Sequence, residues 1–368
     1  MMSVLQDPLL SIVIPTYHRA RYLRGMLDSI IEQARLEPEL QAEFEVVVVD
    51  NGLDDVTCLL MEDMCAAYPF ISYVRRPHSV PMEESILAAK HFGRGDYLWT
   101  LGDDDALEQG ALSFILGHIR QESPEIFLVA RDSWTPDLSR RCVITHGNYP
   151  EDEIYFSSLL QAVHALGWGY YFVYLGSCVF RKEKFRALNE IDYLHSPHSF
   201  SFCVLQAFHD IPCKYLKKKP VTKYRMDNIL PYSAGGLKSV TIIMLQCFQH
   251  LQKYGMGSWR EILSIRDLIF SNEKLVHLKI HSLAVCMLSN QWDRVRTRQP
   301  ILEEEWDIFQ EAYAAYGNEE MHALLSRIRS HVQDDAQSER SINEQLGVIL
   351  IKENLDRRTY PRNTLQVV

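Results

Sequence analysis

Three adjacent carboxylates, Asp103, Asp104 and Asp105, follow the apolar run Tyr97-Leu98-Trp99-Thr100-Leu101 and Gly102. Like charges crowded in this way repel, and they cost stability unless water, hydrogen bonds or a cation offsets them. A hard divalent cation, Mg2+ or Mn2+, suits such oxygens, because it keeps several waters and bridges substrate phosphates. The same residues also suit a solvated loop before a helix, where Asp caps free N–H groups and meets the helix dipole. Position favours the metal, since two other apolar runs end in comparable decoration. Asp50 closes Val46-Val47-Val48-Val49, where an acceptor can serve a base N–H or a ribose hydroxyl, or form the turn Asp50-Asn51-Gly52. Pro15-Thr16-Tyr17-His18-Arg19 follows a third run, and Arg19, with Arg75 or Arg76 behind it, offers charge-assisted hydrogen bonds to phosphate.

These residues need a scaffold that brings strand ends together. Over the first 130 residues short β-branched runs alternate with longer amphipathic stretches, the signature of βαβ units and a parallel sheet. Strands are expected at Leu10–Ile14, Phe44–Val49, Ile71–Val74, Tyr97–Leu101 and Ile126–Ala130. Helices are expected at Arg21–Ala34, Val56–Tyr68, Met82–Phe92 and Gln109–Arg120. The four valines lack polar alternation, as a strand covered on both faces does. The predicted fold class is therefore a doubly wound α/β sheet, in which ligands bind outside the carboxyl ends of the strands. Further on, strands are expected near Gly176–Phe180, Lys214–Leu216 and Val221–Tyr224, with a helix at Ser199–His209. Past Gly235-Gly236 the pattern turns helical, with Val276, Ile280, Leu283 and Met287 on one face. Two domains are expected, 1–236 and 237–368.

Composition narrows the function classes. The 368 residues carry 38 Lys and Arg against 48 Asp and Glu, a formal charge of −10, with no basic face for a nucleic acid. The eight cysteines show no C-x-x-C pair and no zinc spacing, which predicts reduced, buried thiols in a cytosolic protein. No signal peptide or membrane span is expected, and the uncharged stretch Ile154–Phe180, broken by Gln161, His164, Gly167 and Gly169, is expected to be a helix then a strand. Peripheral contact with a membrane stays open.

The segments Ser11-Ile12-Val13-Ile14-Pro15-Thr16-Tyr17-His18-Arg19, Val46-Val47-Val48-Val49-Asp50-Asn51-Gly52 and Gly95-Asp96-Tyr97-Leu98-Trp99-Thr100-Leu101-Gly102-Asp103-Asp104-Asp105, in that order and spacing, resemble the family-2 glycosyltransferases of the GT-A fold. The Gly-Asp-Asp-Asp form of the Asp-x-Asp motif is similar to that of abequosyltransferase-like enzymes of bacterial surface-polysaccharide (O-antigen) assembly. The match covers about residues 9–130 and continues weakly through Gly176–Arg181. The resemblance implies transfer of a sugar from a nucleotide-activated donor to a glycan or lipid-linked acceptor, with inversion and a divalent cation. It implies that Pro15, Thr16 and Tyr17 border the base and that Asp50 accepts from it. By the same resemblance Asp103 and Asp104 belong with the nucleotide, Asp104 facing the ribose or the metal's water shell, and Asp105 binds the metal.

Three departures stand out. His18 replaces the family's usual Asn, and Gly102 replaces a frequent first Asp. No acidic pair stands before the late helix, where an inverting enzyme keeps its general base; Pro197-His198-Ser199 lies there instead. A neutral imidazole at His198 can take the proton, with Asp192 as the fallback, and His198 is equally a helix-entry residue before an N-cap Ser199. Trp168, Tyr170, Tyr171, Phe172 and Tyr174 suit a sugar-stacking surface but more readily a core strand, and Lys217-Lys218-Lys219 suits a solvated turn more than an anionic lipid. Two rivals are a haloacid-type phosphatase, opposed by Leu107 where Thr or Val is required, and a non-catalytic binding scaffold that has lost its base.

Overall fold

The computed structural model describes residues 7–144, 151–166, 174–188, 199–217 and 219–225. The expected boundary near residue 236 and the helical pattern beyond it lie outside them.

Four parallel strands build the first half: β1 (Leu10–Thr16), β2 (Phe44–Asp50), β3 (Ile71–Arg75) and β4 (Tyr97–Thr100), side by side in the order β3-β2-β1-β4. All seven residues of β2 are buried, as an unbroken valine run covered on both faces requires. Register fixes the chemistry: Thr16 lies opposite Asp50, while β4 ends at Thr100 opposite Val13, so the residues that follow it run on beside β1 and bring Asp103 to Thr16. Helix α1 (Ala20–Leu36) buries Leu23, Met26, Leu27, Ile30, Ile31 and Ala34 at helical spacing against this sheet. Helix α2 (Asp55–Ala67) starts at Asp54, whose side chain accepts from Thr57 N at 2.7 Å. The helix expected over Met82–Phe92 ends early: α3 (Met82–Leu87) gives way to a 3-10 turn, Ala88–His91, before Gly93 takes a left-handed φ of 81°.

After the triplet come β5 (Ala106–Leu107), α4 (Ala111–Glu122), β6 (Ile126–Val129), β7 (Arg131–Trp134), β8 (Arg141–Ile144), β9 (Glu153–Phe156), α5 (Leu159–Leu166), β10 (Cys178–Arg181), α6 (Lys182–Arg186), α7 (Ser199–Phe208), β11 (Cys213–Leu216) and β12 (Thr222–Arg225). The large sheet has eight strands, β3-β2-β1-β4-β10-β6-β11-β9, with β10 and β9 running against the rest. A smaller sheet, β5-β12-β7-β8, receives the chain directly from β6 through Ala130 and from β11 through a short connection.

Three strands of the small sheet, β5, β7 and β8, escape the sequence reading along with α6, whereas β12 meets the strand expected near Val221–Tyr224. Strands of two to four residues carry little periodicity, and Arg131-Asp132-Ser133 is polar yet buried. The stretch from Ile154 also opens with a strand, β9, ahead of its helix. Among the described residues no helix is long and apolar enough to cross a membrane, and the six described cysteines are free thiols, three of them buried.

Candidate active site

The ends of β1 and β4 are joined by their side chains. Thr16 Oγ1 donates to Asp103 Oδ2 at 2.7 Å, and Arg19 Nη1 lies 2.9 Å from Asp103 Oδ1 and 3.1 Å from Asp104 Oδ2. Asp103 is almost fully buried, and that burial pushes its carboxyl up to about 6 against the pull of Arg19. Each Asp103 oxygen thus has a partner inside the protein.

Asp105 is equally buried. Its Oδ1 accepts from Arg225 N at 3.1 Å at the end of β12, while Arg225 Nε donates to Asp104 O at 2.6 Å and its guanidinium reaches Pro136 O. Arg19 and Arg225 both lie over the Tyr22 ring, at 5.5 and 5.1 Å. Arg131, held over Tyr174 at 3.4 Å and Tyr224 at 4.5 Å, adds positive potential near Asp105. Burial nevertheless drives the Asp105 carboxyl well above the usual carboxylate range, and the Asp104 charge drives it further.

A metal fits this donor set. A Cβ on Gly102 would meet Asp104 Oδ1 at 3.0 Å and Asp105 Oδ2 at 3.5 Å, so two carboxylate oxygens converge on space that the glycine leaves open. Neither oxygen accepts a hydrogen bond among the described residues. Among the described residues no group of three or more His, Cys, Asp or Glu side chains could hold a metal ion; the two carboxylates would need waters and substrate phosphates to complete a cation's coordination. Hydrogen bonds and an ion pair within the protein take up part of the triplet's charge. Arg19, Thr16 and the Arg225 N–H already offset Asp103 and parts of Asp104 and Asp105.

Beside the triplet, Asp50 is fully buried, and it accepts from Gly52 N at 2.7 Å and from Tyr73 Oη at 2.7 Å. It is therefore a turn former, and each oxygen keeps a lone pair for a ligand. Burial, with the Asp50 bond next, raises the Tyr73 phenol well above its ordinary range, so Tyr73 remains a donor. Asn51 pairs both ways with Val80, donating to its O at 2.8 Å and accepting from its N at 2.9 Å, which holds the loop after β3 against β2. Pro15 is half-buried and Tyr17 exposed. His18 adopts a left-handed φ of 53° and its Nδ1 sits 3.1 Å from Asp54 Oδ2. Asn and His both tolerate that backbone region, which accounts for the exchange of one for the other.

Arg75 donates to Leu53 O at 2.6 Å, and Arg76 lies 3.4 Å from Glu84 Oε1. His198, Asp192 and Trp168 to Phe172 lie outside the described residues, as does Lys218. Tyr22, Tyr73, Arg131 and Arg225 were not singled out by sequence. Tyr22 alone had an available signal, three residues beyond Arg19 on the first turn of α1.

Residues 11–188 match the family model described as Glycosyl transferase family 2. The abequosyltransferase RfbV of Salmonella typhimurium is 27% identical over 230 residues, 60% of this chain and 67% of that protein. A chondroitin synthase of Pasteurella multocida is 26% identical over 151 residues, 38% of this chain but 15% of that protein. Among solved structures, S. aureus TarS 1-349 in complex with UDP has a TM-score of 0.54 at 13% identity, covering 96% of this chain and 93% of that chain. The same protein in complex with UDP-GlcNAc has a TM-score of 0.51 at 15% identity, covering 71% and 70%. At those identities the likeness speaks for the fold, and the family match sets aside the phosphatase. With its decorated parallel strand ends matched from Ser11 onward, the segment 11–188 is similar to the family-2 glycosyltransferases, and the chain is built on the GT-A fold.

Proposed function

We propose that this chain moves a sugar from a nucleoside-diphosphate donor to a hydroxyl of a glycan or lipid-linked acceptor, with inversion, using Mg2+ or Mn2+ held by Asp104 and Asp105. The observation that carries the proposal is the pair of unengaged oxygens, Asp104 Oδ1 and Asp105 Oδ2, facing the open space at Gly102. When bound, such a cation supplies Lewis-acid stabilisation of the departing diphosphate. The protein supplies the rest. Asp50, oriented by Tyr73 and Gly52, accepts from the base; Pro15 and Tyr17 border it; Thr16 and Asp103 hold the loop that carries them. The proton of the acceptor hydroxyl goes to His198 or Asp192. The name of the Salmonella relative, an abequosyltransferase, supports a role in surface-polysaccharide synthesis, and the UDP and UDP-GlcNAc complexes of TarS support a nucleotide-sugar donor. Residues 1–236 form the catalytic domain in this reading and 237–368 a helical region, with work at the inner face of a membrane.

Thermal unfolding with a panel of nucleotide sugars tests the proposal, since a ligand that binds only the native state raises the melting point. One donor is expected to stabilise the protein with Mn2+ and not without it, and Asp105→Asn to abolish that gain. Stabilisation that ignores both Mn2+ and Asp105→Asn contradicts the metal role. Of His198→Ala and Asp192→Asn, the variant that cuts turnover while leaving donor binding intact identifies the base; if neither does, both are excluded.

A further inference from the structure

Arg19 stands at a strand end that faces the donor, yet its Nη1 is committed to carboxylates. It lies 2.9 Å from Asp103 Oδ1 and 3.1 Å from Asp104 Oδ2, with the guanidinium 5.5 Å over the Tyr22 ring. The two partners are not equivalent. Asp103 is 4% exposed and has both oxygens engaged, one by Arg19 and one by Thr16; Asp104 is half-buried, with its second oxygen turned to the space at Gly102.

We propose that Arg19 is an internal counter-cation: it holds Asp104 in the donor-free protein and competes with the divalent ion for that carboxylate. The proposal rests on Asp104 and Asp105 being the metal pair. Asp103 is then a positioning residue rather than a ligand. It keeps Arg19 paired when Asp104 turns to the metal, so release of Asp104 leaves the part-buried guanidinium with a partner. The metal ion alone binds weakly, because it must displace a guanidinium; it binds well with a diphosphate, whose oxygens complete its coordination and offer Arg19 a new partner. Coupling of this kind is reciprocal: the factor by which Arg19 weakens metal binding is the factor by which the metal loosens Arg19 from Asp104.

The test is a titration of the full chain with Mn2+ and no nucleotide, following free Mn2+ by electron paramagnetic resonance, in the natural protein, Arg19→Gln, Arg19→Met, Arg19→Lys and Asp105→Asn. Removing the charge is expected to tighten Mn2+ binding at least about fivefold in both Gln and Met variants, with Arg19→Lys close to the natural protein and Asp105→Asn losing the ion. A merely structural Arg19 predicts weaker binding on its loss. Unchanged or weaker Mn2+ binding in both neutral variants, with Asp105→Asn still losing the ion, overturns the counter-cation and leaves the metal pair standing. Absence of Mn2+ binding in every variant, with or without inorganic pyrophosphate, overturns both.

Discussion

At the scale of single residues, backbone conformation and carboxylate partners decide the roles. His18 sits in the left-handed region while its ring meets Asp54, so two demands fall on one position. His18→Asn is expected to leave stability within about 0.5 kcal/mol, whereas His18→Val, which resists that φ, costs about 1–2 kcal/mol; urea unfolding checks both. Thr16 and Asp103 illustrate what sequence can and cannot show. The triplet was legible as a site because three acids after an apolar strand are unusual. The division of labour was not legible, because it depends on which oxygen meets Arg19, Thr16, Arg225 or open space, and that is set by contacts 84 to 120 residues apart in sequence.

At the scale of elements, the large sheet is tied at the end remote from the site by Glu45. This carboxylate accepts from Ser11 Oγ at 2.8 Å and from Arg94, both through its backbone N–H and through its guanidinium at 3.2 Å. Burial alone raises the Glu45 carboxyl, but those partners outweigh it and hold the group below its ordinary value. As a Cβ on Gly95 would meet Ser11 N at 2.7 Å, the loop before β4 packs directly on β1 and Glu45 seals the joint. The folded protein therefore binds fewer protons than the unfolded chain in this window. The stabilisation is complete above the unfolded value, about 4.3, and is lost as pH falls through the folded one. Glu45→Gln is expected to be less stable than the natural protein at pH 7 and to converge with it near pH 3. A gap that stays constant with pH removes Glu45 as the source. Long elements such as β1, β2, α1 and α2 were legible from apolar runs and helical periodicity; β5 and β8 were too short to show a pattern, and the polar residues of β7, Arg131, Asp132 and Ser133, are buried among partners supplied from elsewhere in the chain.

At the scale of the molecule, two sheets meet at the acidic triplet. Strand β12 brings Arg225 to Asp104, Asp105 and Pro136, while α1 reaches the other side of the triplet, where Ser29 Oγ accepts from Leu107 N at 2.9 Å and Gln33 Oε1 from Leu112 N at 3.0 Å. The aspartates are clamped from the N-terminal half and from a strand more than a hundred residues later. Arg225→Ala removes two donors and a ring contact, with an expected cost of about 2–3 kcal/mol in urea unfolding and a fall in Mn2+-dependent donor affinity, both partly restored by Arg225→Lys. A variant that loses stability and keeps full donor affinity separates the small sheet from the site. The family resemblance and the α/β class were legible from three strand-end segments; β12 was legible as a strand, but its pairing into a small sheet that fixes Asp105 was not, because its partners β5, β7 and β8 are too short to carry a pattern.

The most direct measurement is anomalous diffraction from crystals grown with Mn2+ and a nucleotide-sugar donor. The expected result is a manganese peak within about 2.3 Å of one Asp104 oxygen and one Asp105 oxygen, above Gly102 and shared with the donor's phosphates. A donor bound with no manganese there, or with manganese on other side chains, contradicts it.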